Sequence, residues 1–95
     1  MCGIAGISHP ALSADPLTGM ISGMLAYIGH RGPDGAGYVV DDGFAMGTVR
    51  LAIMDPASGA QPFCDPTGRY WLCYNGEIYN YLELSAELEA MGCQF

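Results

Sequence analysis

The chain opens with MCGIAGIS (residues 1–8), an apolar run that predicts a short buried β-strand over residues 2–8. If Met1 is removed, Cys2 becomes the first residue and carries a thiol and an α-amino group on the same carbon. A thiol is a poor nucleophile until a base takes its proton, and an α-amino group, with an unperturbed pKa of about 8, suits that role. Taken alone, Cys2 is better explained as a small buried hydrophobe, so the remaining sequence has to decide between the two interpretations.

The composition limits both the class of protein and its partners. The 95 residues correspond to one small domain or to part of a larger one, and 51% of them are hydrophobic. The net charge of −7, with no lysine and only three arginines, disfavours binding to nucleic acid or to an anionic membrane. No apolar run is long enough to span a membrane, and the first residues do not resemble a signal peptide. The sequence therefore predicts a cytoplasmic protein.

The four cysteines do not form a pattern typical of a metal site. There is no CxxC pair and no histidine at zinc-ligand spacing, so we expect no bound metal. In a reducing cytosol the thiols should be free. Cys64, Cys73 and Cys93 are interpreted as small packing residues.

A helix is predicted after the first strand. Asp15 is its expected N-cap, Pro16 occupies the first helical position, and Gly29 is expected to end it. Its apolar residues recur at spacings of three, four and seven, which predicts one core-facing stripe: Leu17, Met20, Ile21, Met24, Leu25 and Ile28.

The middle of the chain predicts a loop, a hairpin and a further strand. HRGPDGAG (30–37) is expected to be a loop, because it contains Pro33 and several glycines. GYVV (37–40) and FAMGTV (44–49) flank a turn at residues 41–43 and predict a β-hairpin. DPTG (65–68) predicts a turn that leads into the strand RYWLCY (69–74). Short neighbouring strands favour an α+β fold with mainly antiparallel sheet.

A second helix is predicted near the end of the chain. Asn80 is its expected N-cap, Glu83 its capping-box partner and Gly92 its stop. Its apolar stripe consists of Tyr81, Leu84, Leu88 and Met91, and its solvated face of Glu83, Glu87 and Glu89. No closing element follows before Phe95, so we expect residues 1–95 to be an incomplete domain.

Two further features are chemically suggestive but weak in isolation. Asn75-Gly76 lies between a predicted strand and a predicted helix. It offers an amide side chain and a backbone N–H that could stabilise a developing oxyanion. The dipeptide alone is better explained as a turn. Arg50 ends an apolar strand and is suited to binding a substrate carboxylate. It is equally suited to an ion pair with one of the ten acidic residues.

In combination these segments resemble a known family. MCGIAG, HRGPDGAG, RLAIMD (50–55) with GAQP (59–62), and YNGEIYN (74–80) are similar in order and approximate spacing to the amidotransferase domain of asparagine synthetases, a class II glutamine amidotransferase with an N-terminal cysteine nucleophile. The resemblance covers the whole chain. The proline of RGPDG favours this branch, because the arginine loop of glucosamine-phosphate synthases and phosphoribosylpyrophosphate amidotransferases usually lacks it.

The resemblance implies roles for individual residues. Cys2 would attack the side-chain amide of L-glutamine, form a thioester and release ammonia, while Asn75 and Gly76 would form the oxyanion hole. Arg50 would bind the α-carboxylate of glutamine, and Glu77 would contact the substrate. The backbone of Leu51, Ala52, Ile53 and Met54 would line the pocket, and Arg31 and Asp34 would order the loop over it.

It also implies a fold and a larger protein. The fold would be the N-terminal part of a four-layer αββα sandwich of the N-terminal nucleophile hydrolase type. A C-terminal synthetase domain, which would use ATP and magnesium to amidate aspartate, is not in these residues, and neither is the family's acidic residue that binds the glutamine α-amine. No cofactor is expected in this chain. The complete protein is a candidate homodimer, and the chain alone is expected to be impaired or inactive.

Some questions stay open at this point. Many relatives have a histidine or another basic residue before RLAI, where this chain has Thr48-Val49, and we expect this difference to alter the packing around Arg50. An amidotransferase for a different carboxylate acceptor is an alternative function, because acceptor choice would depend on residues after Phe95. A catalytically silent scaffold is another, although the retained Cys2, Arg50 and Asn75 argue against it.

Overall fold

Two antiparallel β-sheets and two α-helices make up the computed structural model, which describes residues 2–51 and 59–95. The predicted α+β class is therefore confirmed. In chain order the elements are β1 (Gly3–Ser8), α1 (Ala14–Tyr27), a 3₁₀ turn (Gly29–Arg31), β2 (Gly35–Asp41), β3 (Phe44–Arg50), β4 (Phe63–Cys64), β5 (Trp71–Leu72) and α2 (Tyr81–Ala90).

The larger sheet has the strand order β1-β3-β2, with β3 in the middle. Its register pairs Gly3 with Val49 at one end of β1 and Ser8 with Phe44 at the other. The predicted hairpin is confirmed, and its two-residue loop places Gly43 at a φ of 86°, where glycine is favoured. β2 begins at Gly35, within the segment expected to be a loop, because Gly35 pairs with Arg50 and continues the ladder.

The core lies between α1 and one face of this sheet. Leu17, Ile21 and Leu25 from α1 are buried there against Ala5, Ala45 and Val49 from β1 and β3. The remaining residues of the predicted stripe lie at its margins, and Met20 is 46% exposed. β1 is buried on one face only, because Ala5 faces the helix while its neighbour Ile4 is 47% exposed. The predicted first strand is therefore confirmed, but it is not buried on both faces.

The start of α1 differs from the prediction. Ser13, not Asp15, is the N-cap, and the carboxylate of Asp42 accepts a hydrogen bond of 3.0 Å from the backbone N–H of Ala14. Asp15 lies in the first turn, where its negative charge suits the positive end of the helix dipole. The partner comes from the β2–β3 turn, so the cap is a tertiary contact. At the other end, Gly29 begins a 3₁₀ turn and does not end the helix in the left-handed conformation.

The smaller sheet is shorter than predicted. Only Trp71 and Leu72 of the predicted strand RYWLCY form ladder pairs, since the partner strand β4 has two residues. The predicted DPTG turn is confirmed by a hydrogen bond from the Gly68 N–H to the Asp65 carbonyl (3.0 Å). The Thr67 hydroxyl and, secondarily, the Tyr70 N–H donate to the Asp65 carboxylate and lower its pKa.

Helix α2 has the predicted limits but not the predicted packing. Asn80 is the N-cap without a side-chain capping bond, so the expected capping box does not form. Gly92, at a φ of 94°, ends the helix as predicted. The predicted solvated glutamates are exposed, but the apolar stripe is not buried against the described residues, and Met91 is 73% exposed.

Truncating the α1 core is expected to destabilise the chain. Ile21 is fully buried, so Ile21→Ala should lower the free energy of unfolding by about 2–5 kcal/mol through lost burial and a cavity. Met20→Ala, on the same helix but at a half-exposed side chain, is the matched control and should cost clearly less. Urea unfolding followed by circular dichroism measures both values, and equal losses would contradict the packing described here.

Candidate active site

Cys2 lies at the end of the larger sheet where β3 finishes. Because Gly3 pairs with Val49, Cys2 is adjacent to Arg50 and Leu51 on the neighbouring strand. The backbone N–H of Leu51 donates to the Cys2 Sγ at 3.4 Å, and the Sγ lies 3.8 Å from the Leu51 carbonyl oxygen. The Leu51 backbone therefore holds the Cys2 sulfur at the end of β3.

Two side chains from distant parts of the chain hold the carbonyl of Cys2. The Nε of Arg31 donates to this oxygen at 3.3 Å, and the Nδ2 of Asn75 donates to it at 3.1 Å. Asn75 is 73 positions away in sequence. The fold therefore brings the cysteine, the arginine of the RGPDG loop and the asparagine of NGEIYN to one place. Arg31, expected to order a covering loop, contacts the cysteine residue directly.

The RGPDG loop packs on the backbone of Arg50. The N–H of Asp34 donates to the Arg50 carbonyl at 2.9 Å, and Pro33 forms a bridge with Arg50. Gly32 is buried there, and a Cβ at this position would overlap the backbone of Val49 and Arg50. Only glycine lets the loop approach this closely, so the loop fixes the end of β3 from which the Arg50 side chain extends.

A small cavity lies beside Arg50. Its volume is about 120 Å³, and residues 34–37, Thr48, Arg50, Ala60 and Gln61 line it. The guanidinium of Arg50 rests against Gly59, where a Cβ would overlap it. The Arg50 guanidinium is therefore held at the rim of this cavity by its contact with Gly59.

For the other predicted site residues, the described part of the chain shows no contact with Cys2 or Arg50 that would define a role. Ala52, Ile53 and Met54 lie outside the described residues. Gly76 lies against the Tyr74 ring, where an added Cβ would stand 2.7 Å from the phenol oxygen, and Glu77 is exposed. The structure gives neither residue a position that defines its role, so those roles stay predictions.

Thr48 makes a contact that was not expected. Its side chain is only 3% exposed, and its hydroxyl donates to the Gly3 carbonyl at 3.0 Å. Thr48 therefore contacts the first residue of β1, directly after Cys2, and the expected effect on the packing around Arg50 stays a prediction. Sequence reasoning also missed the contact between Gln61 and Tyr74, although GAQP was among the quoted motifs.

Comparison with known proteins identifies the family. A family model described as the glutamine amidotransferase domain matches residues 1–95. The chain belongs to this family. It is 43% identical over 97 residues to asparagine synthetase [glutamine-hydrolyzing] 1 of Bacillus subtilis, an alignment covering 100% of the chain and 15% of that protein. It is 39% identical over 95 residues to human asparagine synthetase [glutamine-hydrolyzing], covering 94% of the chain and 16% of that protein. The chain thus spans about one sixth of these curated relatives.

The remaining cysteines of this amidotransferase domain sit in different environments. Cys64 and Cys73 are partly buried, as the packing interpretation predicts, whereas Cys93 is exposed, so that interpretation was wrong for Cys93. Cys73 packs with its Sγ 3.7 Å from the Met46 Sδ, and burial raises the pKa of its thiol. Cys73 should therefore react slowly with electrophiles.

The described residues contain neither a cluster suited to a metal ion nor a helix that could cross a membrane. Within residues 2–51 and 59–95, no group of three or more His, Cys, Asp or Glu side chains is placed to hold a metal ion. Neither helix in this part of the chain is long and apolar enough to cross a membrane.

Proposed function

We propose that this chain is the N-terminal part of a glutaminase domain in which Cys2, exposed as the first residue by removal of Met1, is the nucleophile. The convergence on Cys2 carries the proposal: the Leu51 N–H contacts its sulfur, and the Arg31 and Asn75 side chains hold its carbonyl. Membership of the glutamine amidotransferase family supports L-glutamine as the substrate.

The proposed reaction has two steps. The α-amine takes the thiol proton and the sulfur attacks the side-chain amide carbon of glutamine. The α-ammonium then returns that proton to the departing amide nitrogen, so the C–N bond breaks and ammonia leaves. Water then cleaves the thioester, which yields glutamate and restores the thiol. The Asn75 amide nitrogen has two N–H donors. One holds the Cys2 carbonyl, and we assign the other, with the Gly76 backbone N–H, to the oxyanion.

Substrate binding is assigned to the end of β3 next to Cys2, where Arg50 lies. Arg50 binds the glutamine α-carboxylate, because its guanidinium matches a carboxylate with two parallel hydrogen bonds. The backbone of residues 51–54 lines the pocket, and Glu77 contacts the substrate. Arg31 and Asp34 keep the RGPDG loop on the end of β3, as the Asp34–Arg50 bond supports.

For the complete protein we propose an asparagine synthetase-like enzyme. The relatives named above are glutamine-hydrolysing asparagine synthetases, which supports aspartate as the acceptor of the ammonia. A separate synthetase domain would supply ATP and magnesium chemistry. A four-layer αββα sandwich, a cytoplasmic location and a homodimer complete this proposal. The antiparallel sheet with α1 on one face supports the first of these.

Labelling with an electrophilic glutamine analogue tests the glutaminase assignment. We expect intact mass spectrometry to show loss of Met1 and one adduct, and peptide mapping to place the adduct on Cys2. Cys73 should stay unmodified because its thiol pKa is raised. Circular dichroism is the folding control. A folded protein that lacks Met1 but carries no adduct on Cys2, in the chain and in the full-length gene product alike, would contradict the proposal.

A further inference from the structure

The side chain of Gln61 binds both backbone polar groups of Tyr74. Its Nε2 donates to the Tyr74 carbonyl at 2.9 Å, and its Oε1 accepts from the Tyr74 N–H at 2.6 Å. Tyr74 immediately precedes Asn75, whose amide holds the Cys2 carbonyl. One side-chain amide therefore fixes the peptide groups on which the placement of Asn75 depends.

The register of the smaller sheet explains this pairing. Phe63 pairs with Leu72, and the Asp65 N–H donates to the Tyr70 carbonyl, so hydrogen-bonded pairs alternate along the ribbon. The next hydrogen-bonded position in this alternation is residue 61 opposite residue 74. There the side chain of Gln61 makes the two bonds that a backbone would otherwise make. It thereby extends the ladder beyond β5 to the residue before Asn75.

The backbone of Gln61 is in turn fixed on the larger sheet. Its carbonyl packs on Gly37 of β2, where a Cβ would overlap that oxygen. A second contact between the ribbon and the larger sheet is the 3.7 Å approach of the Cys73 Sγ to the Met46 Sδ of β3. Gln61 therefore links the sheet that carries Cys2 to the segment that carries Asn75 and Gly76.

We propose that Gln61 is a positioning residue for the oxyanion donors. Consecutive Cα atoms are about 3.8 Å apart, so holding both polar groups of Tyr74 limits where the Asn75 amide and the Gly76 N–H can lie. Oxyanion donors act only at short range, and small displacements of catalytic groups are costly. The inference rests on the proposed glutaminase function and assigns Gln61 no contact with substrate.

Gln61→Ala removes both bonds, and Gln61→Glu changes one of them. At neutral pH the glutamate still accepts from the Tyr74 N–H, but its second oxygen faces the Tyr74 carbonyl and repels it. Both variants of the full-length gene product should lower kcat for glutamine hydrolysis by roughly 10- to 100-fold. KM should change little, because the group assigned to the α-carboxylate, Arg50, is untouched. Gln94→Ala, at the exposed second glutamine of the chain, is the control.

The glutamate variant supplies a readout that a loss of stability would not reproduce. Its protonated carboxyl donates to the Tyr74 carbonyl through O–H and accepts through C=O, which restores both bonds. Asp34 and Arg50 line the cavity next to residue 61 and are unchanged between the enzymes. The activity of Gln61→Glu relative to wild type should therefore rise as the pH is lowered, whereas that of Gln61→Ala should not. Hydrogen exchange at the Tyr74 amide should be faster than wild type in the alanine variant.

The outcomes separate this inference from the function on which it rests. If the wild type hydrolyses glutamine and the Gln61 variants have the same kcat as the wild type, the positioning role is refuted and the glutaminase function is not. The positioning role is also refuted if Gln61→Glu is less active and its activity does not recover at low pH. It is likewise refuted if hydrogen exchange at the Tyr74 amide is unchanged in Gln61→Ala. A wild-type enzyme that does not hydrolyse glutamine overturns the proposed function and the positioning role together.

Discussion

Cys2→Ala is expected to abolish glutamine hydrolysis by the full-length gene product. The substitution removes the sulfur that would form the thioester and that the Leu51 N–H contacts. Removing the nucleophile of an enzyme that acts through a covalent intermediate typically lowers kcat by at least about 10⁴-fold. Ammonia release from glutamine, followed over time, measures the loss.

The fold should survive this change. Cys2 precedes β1 and is not part of the buried core, and its carbonyl, which Arg31 and Asn75 hold, is present in any residue. Circular dichroism and ammonia-dependent amidation by the proposed synthetase domain are the controls, and both should be unchanged. Cys93→Ala, at an exposed thiol, should keep full activity. Normal glutaminase activity in Cys2→Ala would refute the assignment of the nucleophile.

Arg50→Ala is expected to raise the KM for glutamine with a smaller effect on kcat. The loss of a two-point contact between a guanidinium and a carboxylate should cost about 2–3 kcal/mol of binding free energy, which is on the order of 10²-fold in KM. Steady-state hydrolysis over a wide range of glutamine concentrations separates the two constants. Arg50→Lys should recover part of the loss, since lysine keeps the charge but not the paired geometry.

A matched control is available for the arginine. Arg69 lies on the turn before β5, where its guanidinium is 5.2 Å from the centre of the Tyr70 ring. Arg69→Ala removes the same charge and should leave the KM for glutamine unchanged. If Arg50→Ala and Arg69→Ala raise KM equally, the effect is one of net charge, and Arg50 does not bind the α-carboxylate.

The sequence predicted the elements well where local signals agree. The apolar spacing of α1, the two-residue turn of the β2–β3 hairpin and the glycine stop of α2 depend on residues a few positions apart, and all three were found. The predictions were wrong where the structure of an element depends on a residue far away in the sequence. Asp42 supplies the helix contact expected of Asp15, and the two-residue partner strand β4 limits β5 to Trp71 and Leu72.

The candidate site shows the same division. Motif order was sufficient to single out Cys2, Arg50 and Asn75 and to indicate the family. No spacing rule predicts that the Arg31 and Asn75 side chains hold the Cys2 carbonyl, that the Leu51 N–H contacts its sulfur, or that Gln61 pairs with Tyr74.

The sequence by itself thus indicated the kinds of elements, the candidate nucleophile and the family. Backbone propensity, turn chemistry and motif order depend on short stretches of sequence. Tertiary structure alone decided the β1-β3-β2 order, the burial of one face of β1 and the meeting of residues 2, 31, 51 and 75. These features depend on how strands that are far apart in the chain pair and in which register. Strand pairing and register depend on burying α1 against residues from several strands, and no single local segment contains all of those residues.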